Sequence, residues 1–154
     1  VKHQLEREQL VLRPRAEVFA FFADAANLER LTPASLRFEI RTPLPIEMRA
    51  GARIDYQIAL FGLPFRWRTV IESFEPEARF VDLQMQGPYR FWRHTHEFAD
   101  APGGTLVCDR VEFELPLGPL GKLARVLFVT RQLRHIFDFR RAAIERVFAE
   151  GRAR

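Results

Sequence analysis

The sequence predicts an α+β fold: a curved antiparallel sheet of about seven strands wrapped around a long C-terminal helix, with two short helices after the first strand. Three observations predict it. Period-two alternation fills residues 36 to 115 and is cut at regular intervals by turn signals. Helical periodicity takes over after Pro119 and persists to about residue 149. The only earlier helical pattern is short and lies between Pro14 and Leu31.

Residues 3 to 12 mix alternation with apolar character and stop before Pro14, as a first strand does. Val18, Phe21, Phe22 and Ala25 then recur at helical spacing. Pro14 suits a first helical turn, and Asn27 is placed to cap a second short helix that ends before Thr32-Pro33. Strand-like runs follow from Leu36. They are separated by Arg49-Ala50-Gly51, Phe61-Gly62-Leu63-Pro64, Glu75-Pro76-Glu77, Gly87-Pro88 and Ala101-Pro102-Gly103-Gly104, which makes an antiparallel meander of about six strands. Beyond Pro116-Leu117-Gly118-Pro119, residues Leu123, Leu127, Leu133, Ile136, Phe137, Ile144, Val147 and Phe148 mark the apolar stripe of one long helix. A bent sheet closed over such a helix leaves more space than side chains fill, so a cavity is expected.

The length suits one domain spanning residues 1 to 154, and 47% apolar with 29% charged residues is ordinary globular usage. No apolar run approaches 18 residues and the N-terminus has no signal-peptide apolar region, so a cytoplasmic protein without a membrane span is expected. Cys108 is the single cysteine, which excludes an internal disulfide and a thiolate metal cluster. Net charge is +4, yet only two of 24 basic residues are lysines and the arginines are spread among acidic partners. The dense basic region, Arg125 to Arg154, is interrupted by Asp138, Glu145 and Glu150 and is read as a solvated helix face; no nucleic acid partner is expected.

The most informative segment is Trp92-Arg-His-Thr-His-Glu-Phe98. Strand side chains alternate, so Trp92, His94, His96 and Phe98 share one face and Arg93, Thr95 and Glu97 the other, wet one. An aromatic face with two imidazoles suits the wall of a cavity. A turn at Pro102-Gly103 sets Phe98 opposite Val107, His96 opposite Asp109 and His94 opposite Val111. His96 with Asp109 is then the best acid/base candidate, with His94 beside it; the same pairing equally suits a buried histidine that merely needs a partner. The Phe61-to-Pro64 turn is expected to set Ile58 near Trp67, Tyr56 near Thr69 and Ile54 near Ile71 as an apolar wall. Across the next turn the inward set is either Phe80, Asp82, Gln84 and Gln86 or Val81, Leu83 and Met85. His94, His96 and Asp109 are compatible with zinc or iron, but the pattern is nonspecific and no metal is assigned. Ser35, Ser73 and Cys108 lack a nucleophile motif, and the glycines form no phosphate cradle.

The order of elements resembles the helix-grip fold of the START/Bet v-allergen-like superfamily, also called SRPBCC. The run from Phe80 to Phe98, followed by Gly104-Thr105 and Asp109-Arg-Val-Glu-Phe113, is similar to its bacterial ligand-binding, cyclase/dehydrase-like branch, as are Leu117-Gly-Pro-Leu-Gly121 and Ile136-Phe-Asp-Phe-Arg140. The resemblance covers nearly the whole chain. It favours the polar set, and so Gln84, as the inward face of residues 80 to 86, and it implies neither a metal nor a cofactor. The superfamily includes lipid carriers, hormone receptors, coenzyme-Q-binding proteins and polyketide aromatase/cyclases, so the fold does not choose an activity.

Three functions follow as expectations. The first is binding of a small hydrophobic, cyclic or lipid-like ligand against Phe65, Trp67, Trp92 and Phe98, with a few polar groups for orientation. The second is a cyclase or dehydratase in which His96, oriented by Asp109, abstracts a proton beside a carbonyl while His94 or Tyr56 donates to the oxyanion. The third is an interaction module using the basic helix on a lipid surface or macromolecule. Oligomeric state is left open.

Overall fold

The computed structural model describes residues 2–115 and 122–150, with the side chains of the last helix placed from 126 to 149. Seven antiparallel strands make one sheet: β1 (His3–Val11), β2 (Glu39–Ile40), β3 (Arg53–Leu60), β4 (Leu63–Glu75), β5 (Arg79–Gln86), β6 (Phe91–Ala101) and β7 (Gly104–Glu114). Their spatial order is β1-β7-β6-β5-β4-β3-β2, so β2 to β7 form the expected meander and β1 closes onto its last strand. Helix α1 (Arg15–Phe22) follows β1, and helix α2 (Lys122–Glu150) follows β7. This is the helix-grip architecture.

The segment after α1 is tighter than α-helical spacing suggests: it forms two 3-10 stretches, Ala25–Leu31 and Ala34–Leu36. Asp24, not Asn27, caps the first of these, accepting from the Ala26 N–H at 3.0 Å. Asn27 instead donates to the Phe21 carbonyl and ties the stretch back to α1.

Turn chemistry sets the strand registers. Pro102-Gly103 is the whole β6–β7 turn, with Gly103 at φ +80, and the pairs Phe98–Val107, His96–Asp109 and His94–Val111 form as expected. The β3–β4 register is two residues away from the expected one: Tyr56 faces Trp67, Ile54 faces Thr69 and Ile58 faces Phe65. The cause is the turn itself. Phe61 and Gly62 both adopt positive φ, +53 and +76, as a two-residue hairpin loop requires, leaving Leu63 and Pro64 in the strand. A two-residue slip preserves parity, so the same side chains still face inward.

The core lies between the concave face of the sheet and α2. Val129, Leu133 and Phe137 of α2 pack with Trp67, Trp92, Val111 and Phe113, and Ala143 and Ile144 pack with Val18, Phe22 and Phe98. Leu127, expected on the buried stripe, is 63% exposed. It stands two residues from buried Val129, on the opposite side of a helix, and neighbouring Phe128 stacks on Phe61 at 4.7 Å. The expected start of the helix at Pro119, the Leu117-to-Gly121 motif and the side chain of Leu123 lie outside the described residues. Thr95 also departs from its expected wet position: it is buried in mid-sheet, with Val81 and Arg110 as its cross-strand neighbours.

Candidate functional site

Strand β6 lies between β5 and β7, and this places two carboxylates around its two histidines. In register, Asp82 stands opposite His94, and Asp109 stands opposite His96. The hydrogen bonds cross that register. His96 Nε2 meets Asp82 Oδ2 at 2.7 Å, and His94 Nε2 meets Asp109 Oδ1 at 2.8 Å. Each carboxylate therefore takes the diagonal histidine, a contact within reach because side chains lean along the strand. His96 and Asp109 are close, with Nδ1 to Oδ1 at 3.4 Å, but the short bond of Asp109 belongs to His94. The expected His96–Asp109 couple is thus one edge of a four-residue network.

Arg140 of α2 completes it. Its Nη2 lies 3.4 Å from both Asp109 Oδ1 and His96 Nδ1, and the residue is only 8% exposed. The guanidinium also sits 5.0 Å over the Phe22 ring. Two carboxylates are thereby matched by one permanent cation and by a proton on a histidine.

Position decides which histidine holds that proton. Burial disfavours the cation on both rings. At His96 the hydrogen bonds to Asp109 and Asp82 outweigh burial and raise the ring's pKa. At His94 burial, reinforced by the charge of His96, prevails over Asp109 and Asp82 and lowers it. Burial pushes both carboxyls up as well, but the hydrogen bond from His96, with the charges of both histidines and Arg140, holds Asp82 below its usual value. The Arg140 charge, followed by the bonds from the two histidines, holds Asp109 well below its own. The opposed directions make His96 the more basic ring and His94 the less basic one. In its neutral form His94 donates Nε2–H to Asp109 and keeps a lone pair on Nδ1, 4.0 Å from Asp82.

Above this network lies a cavity of about 160 Å³ between the sheet, the 3-10 segment and α2. It is lined by His94, His96, Asp82 and Arg140 at its polar end and by Tyr56, Ile58, Trp67, Tyr89 and Trp92 at its aromatic end. Thr69 also lines it, two residues from Trp67 on the same face of β4. Tyr56 stacks on Trp67 at 5.6 Å, and Trp67 meets Trp92 edge to face at 5.3 Å. Burial, then the Asp82 charge, raises the pKa of the Tyr56 phenol against a weaker opposing pull from the nearby Thr69 hydroxyl, so it stays neutral.

Of the residues singled out from sequence, Tyr56, Ile58, Trp67, Thr69, Trp92, His94 and His96 line the cavity. Phe65, Phe98 and Val111 do not: Phe98 packs on Phe19 and Phe22, Val111 is fully buried, and Phe65 packs on the edge of the core. Gln84 is inward, across from Thr69, but spends its amide on the backbone of Tyr89, at 2.7 Å to O and 3.3 Å from N. It fixes the loop that presents Tyr89. Asp109 lies beneath the histidines and is buried.

Arg140 is missed from sequence, and Asp82 is reached there only as a member of the polar set that the resemblance favours. Asp82 was ambiguous because the β4–β5 pairing carries a bulge between Ile71 and Ser73, and such an irregularity defeats a face assignment by parity. Arg140 was taken with the solvated basic face. Its signal was positional, since it stands four residues from both Ile136 and Ile144 on the buried stripe.

Donor atoms of Asp82, His94 and His96 lie within 4.8 Å of one another, the span of a metal site. The two imidazoles stack at 3.7 Å and 28°, and each ring already spends its Nε2 on a carboxylate, at 2.8 Å for His94 and 2.7 Å for His96. The arrangement is that of a hydrogen-bonded acid/base cluster.

Comparison with known proteins agrees with this architecture. The family model described as polyketide cyclase / dehydrase and lipid transport matches residues 2–149. Among solved structures, the Zhui aromatase/cyclase from Streptomyces sp. R1128 superposes with a TM-score of 0.78 at 14% identity, covering 100% of this chain and 97% of that one. TTHA0849 from Thermus thermophilus gives 0.72 at 19% identity, with coverage of 97% and 99%. A START superfamily protein from Mycobacterium smegmatis gives 0.68 at 14% identity, with 94% and 99%. At these identities the likeness is one of fold. No curated protein matches the chain, and no helix among the described residues is long and apolar enough to cross a membrane. With its family model matched over almost the whole length and the helix-grip sheet and helix in place, the chain belongs to the polyketide cyclase/dehydrase and lipid transport family.

Proposed function

We propose that this protein binds a small hydrophobic, ring-containing molecule in the cavity between sheet and α2, oriented by the polar cluster at one end. The observation that carries this reading is the cavity's two-ended lining: aromatic and aliphatic walls leading to Asp82, His94, His96 and Arg140. Its volume of about 160 Å³ is close to that of an engineered apolar cavity of about 150 Å³ that takes up benzene, so one ring or two small fused rings fit without movement of the walls. Titration with 2-naphthol, followed by calorimetry, tests the reading. One-to-one binding is expected in the native protein and its loss in Ile58→Phe, which projects a ring into the cavity. Equal binding by the two proteins places the ligand elsewhere.

A second reading, turnover of cyclase or dehydratase type, draws support from the opposed shifts of the two histidines. Environments that push paired titratable groups apart create an acid and a base side by side. Here the roles differ from those expected from sequence. Neutral His94, oriented by Asp109, is the base that takes a proton from the carbon beside a ligand carbonyl through Nδ1. The His96–Asp82 couple supplies a proton to the departing hydroxyl, which leaves as water. On this reading His94→Gln and His96→Gln each abolish turnover of a β-hydroxy ketone and leave 2-naphthol affinity within a few fold, while a binding protein shows no turnover to lose.

A further inference from the structure

The aromatic end of the cavity carries buried donors that nothing among the described residues uses. Trp67 is 5% exposed and Thr69 4%, both line the cavity, and neither the indole Nε1 nor the Thr69 Oγ1 has a hydrogen-bond partner among the described residues. The Tyr56 phenol lies near enough to Thr69 to feel its hydroxyl, but the two do not meet in hydrogen-bonding geometry. Trp67 and Thr69 sit two residues apart on one face of β4, paired in register with Tyr56 and Ile54. Leaving such groups unmade is costly, which is why nearly all buried polar atoms are paired. An exception on a cavity wall is accounted for when the partner arrives with a ligand.

We infer that Trp67 and Thr69 form a second polar subsite that receives an acceptor oxygen of the ligand, separate from the histidine cluster. The inference rests on the binding reading above and narrows its ligand class. An indole N–H only donates, so the atom facing Trp67 is an acceptor: a ketone, quinone or ester carbonyl, or an ether oxygen. Thr69 supplies a second donor to the same atom or to one beside it. A plain hydrocarbon leaves both groups unsatisfied. The favoured ligand is therefore a ring compound with a carbonyl on the side away from the histidines.

Acetophenone and ethylbenzene test this, because they match in size and differ in the carbonyl. Their dissociation constants are measured by NMR shift titration against the native protein, Thr69→Val and Trp67→Phe, and the ratio of the two constants is compared between proteins. That ratio cancels the different cost of taking each probe out of water. Each substitution is expected to move it about five- to tenfold toward ethylbenzene, the loss of one hydrogen bond, with ethylbenzene affinity kept within about twofold. Thr69→Val is isosteric and carries the test alone if Trp67→Phe does not fold. Ethylbenzene binding with an unchanged ratio in the folded variants overturns the subsite and leaves the cavity reading standing. Failure of both probes to bind the native protein overturns both.

Discussion

The two ends of the cavity are built from similarly buried side chains and treat their polar groups in opposite ways. At the histidine end, each carboxylate is matched by a cation or a ring N–H: Asp82 by His96, and Asp109 by His94 and Arg140. At the aromatic end, Trp67 Nε1 and Thr69 Oγ1 are left without partners among the described residues. At the first end both carboxylates are paired and Arg140 Nε is left without a partner among the described residues, so the network joins α2 to the sheet through Arg140 Nη2. The second is incomplete, and its unmet donors are free to recognise. Paired charges in one place and unmet neutral donors in the other divide stability from specificity within one pocket.

The sharpest way to break this contrast is to remove the hub of the charged end. Asp109→Ala strands the Arg140 charge and the His94 N–H in the interior and is expected to cost about 3–5 kcal/mol in urea unfolding. Adding Arg140→Met should recover much of the loss. A cost below about 1 kcal/mol, the level of an exposed ion pair, would show that the network is not the buried structure described.

Protonation gives the next largest effect, and its sign differs between the two rings. His96 is raised above its unfolded value, so its contribution to stability is fully present below about pH 6.5 and is lost as pH climbs through the raised folded value. His94 is lowered, so its contribution is present above about pH 6.5 and is lost as pH falls through the depressed folded value. The stability gap between the native protein and His96→Gln should therefore narrow as pH rises from 6 to 9. The gap for His94→Gln should narrow as pH falls from 7 to 5. Parallel pH profiles for the two variants would contradict the separation of roles.

How much of this was legible in the chain follows the same line. The fold was, because it rests on periodicity and on turns such as Pro102-Gly103, and local chemistry dictates those. The β6–β7 register brought His96 opposite Asp109 correctly. Which nitrogen meets which carboxylate was not legible, since it turns on diagonal lean and on Asp82, whose face is set by a bulge in β4. Arg140 was hidden by a count of basic residues that ignored its place on the apolar stripe. The unpaired donors of Trp67 and Thr69 had no signature at all, because lacking a partner is a property of three dimensions.

The smallest effect comes from the incomplete end. Thr69→Val replaces a buried hydroxyl that has no partner among the described residues with a methyl of the same shape, and should leave stability unchanged or raise it by up to about 1 kcal/mol. A loss above about 1 kcal/mol would mean that the hydroxyl is already bonded in the ligand-free protein and would erase the contrast between the two ends.

The central claim, that a ligand occupies the space between these ends, is met most directly by following ring and indole signals of the native protein by NMR during a titration with 2-naphthol. The account predicts saturable, one-site shifts at the imidazoles of His94 and His96 together with the indole N–H of Trp67 and Trp92. Shifts that leave these four residues untouched and gather at the exposed rings of Phe61 and Phe128 would contradict it.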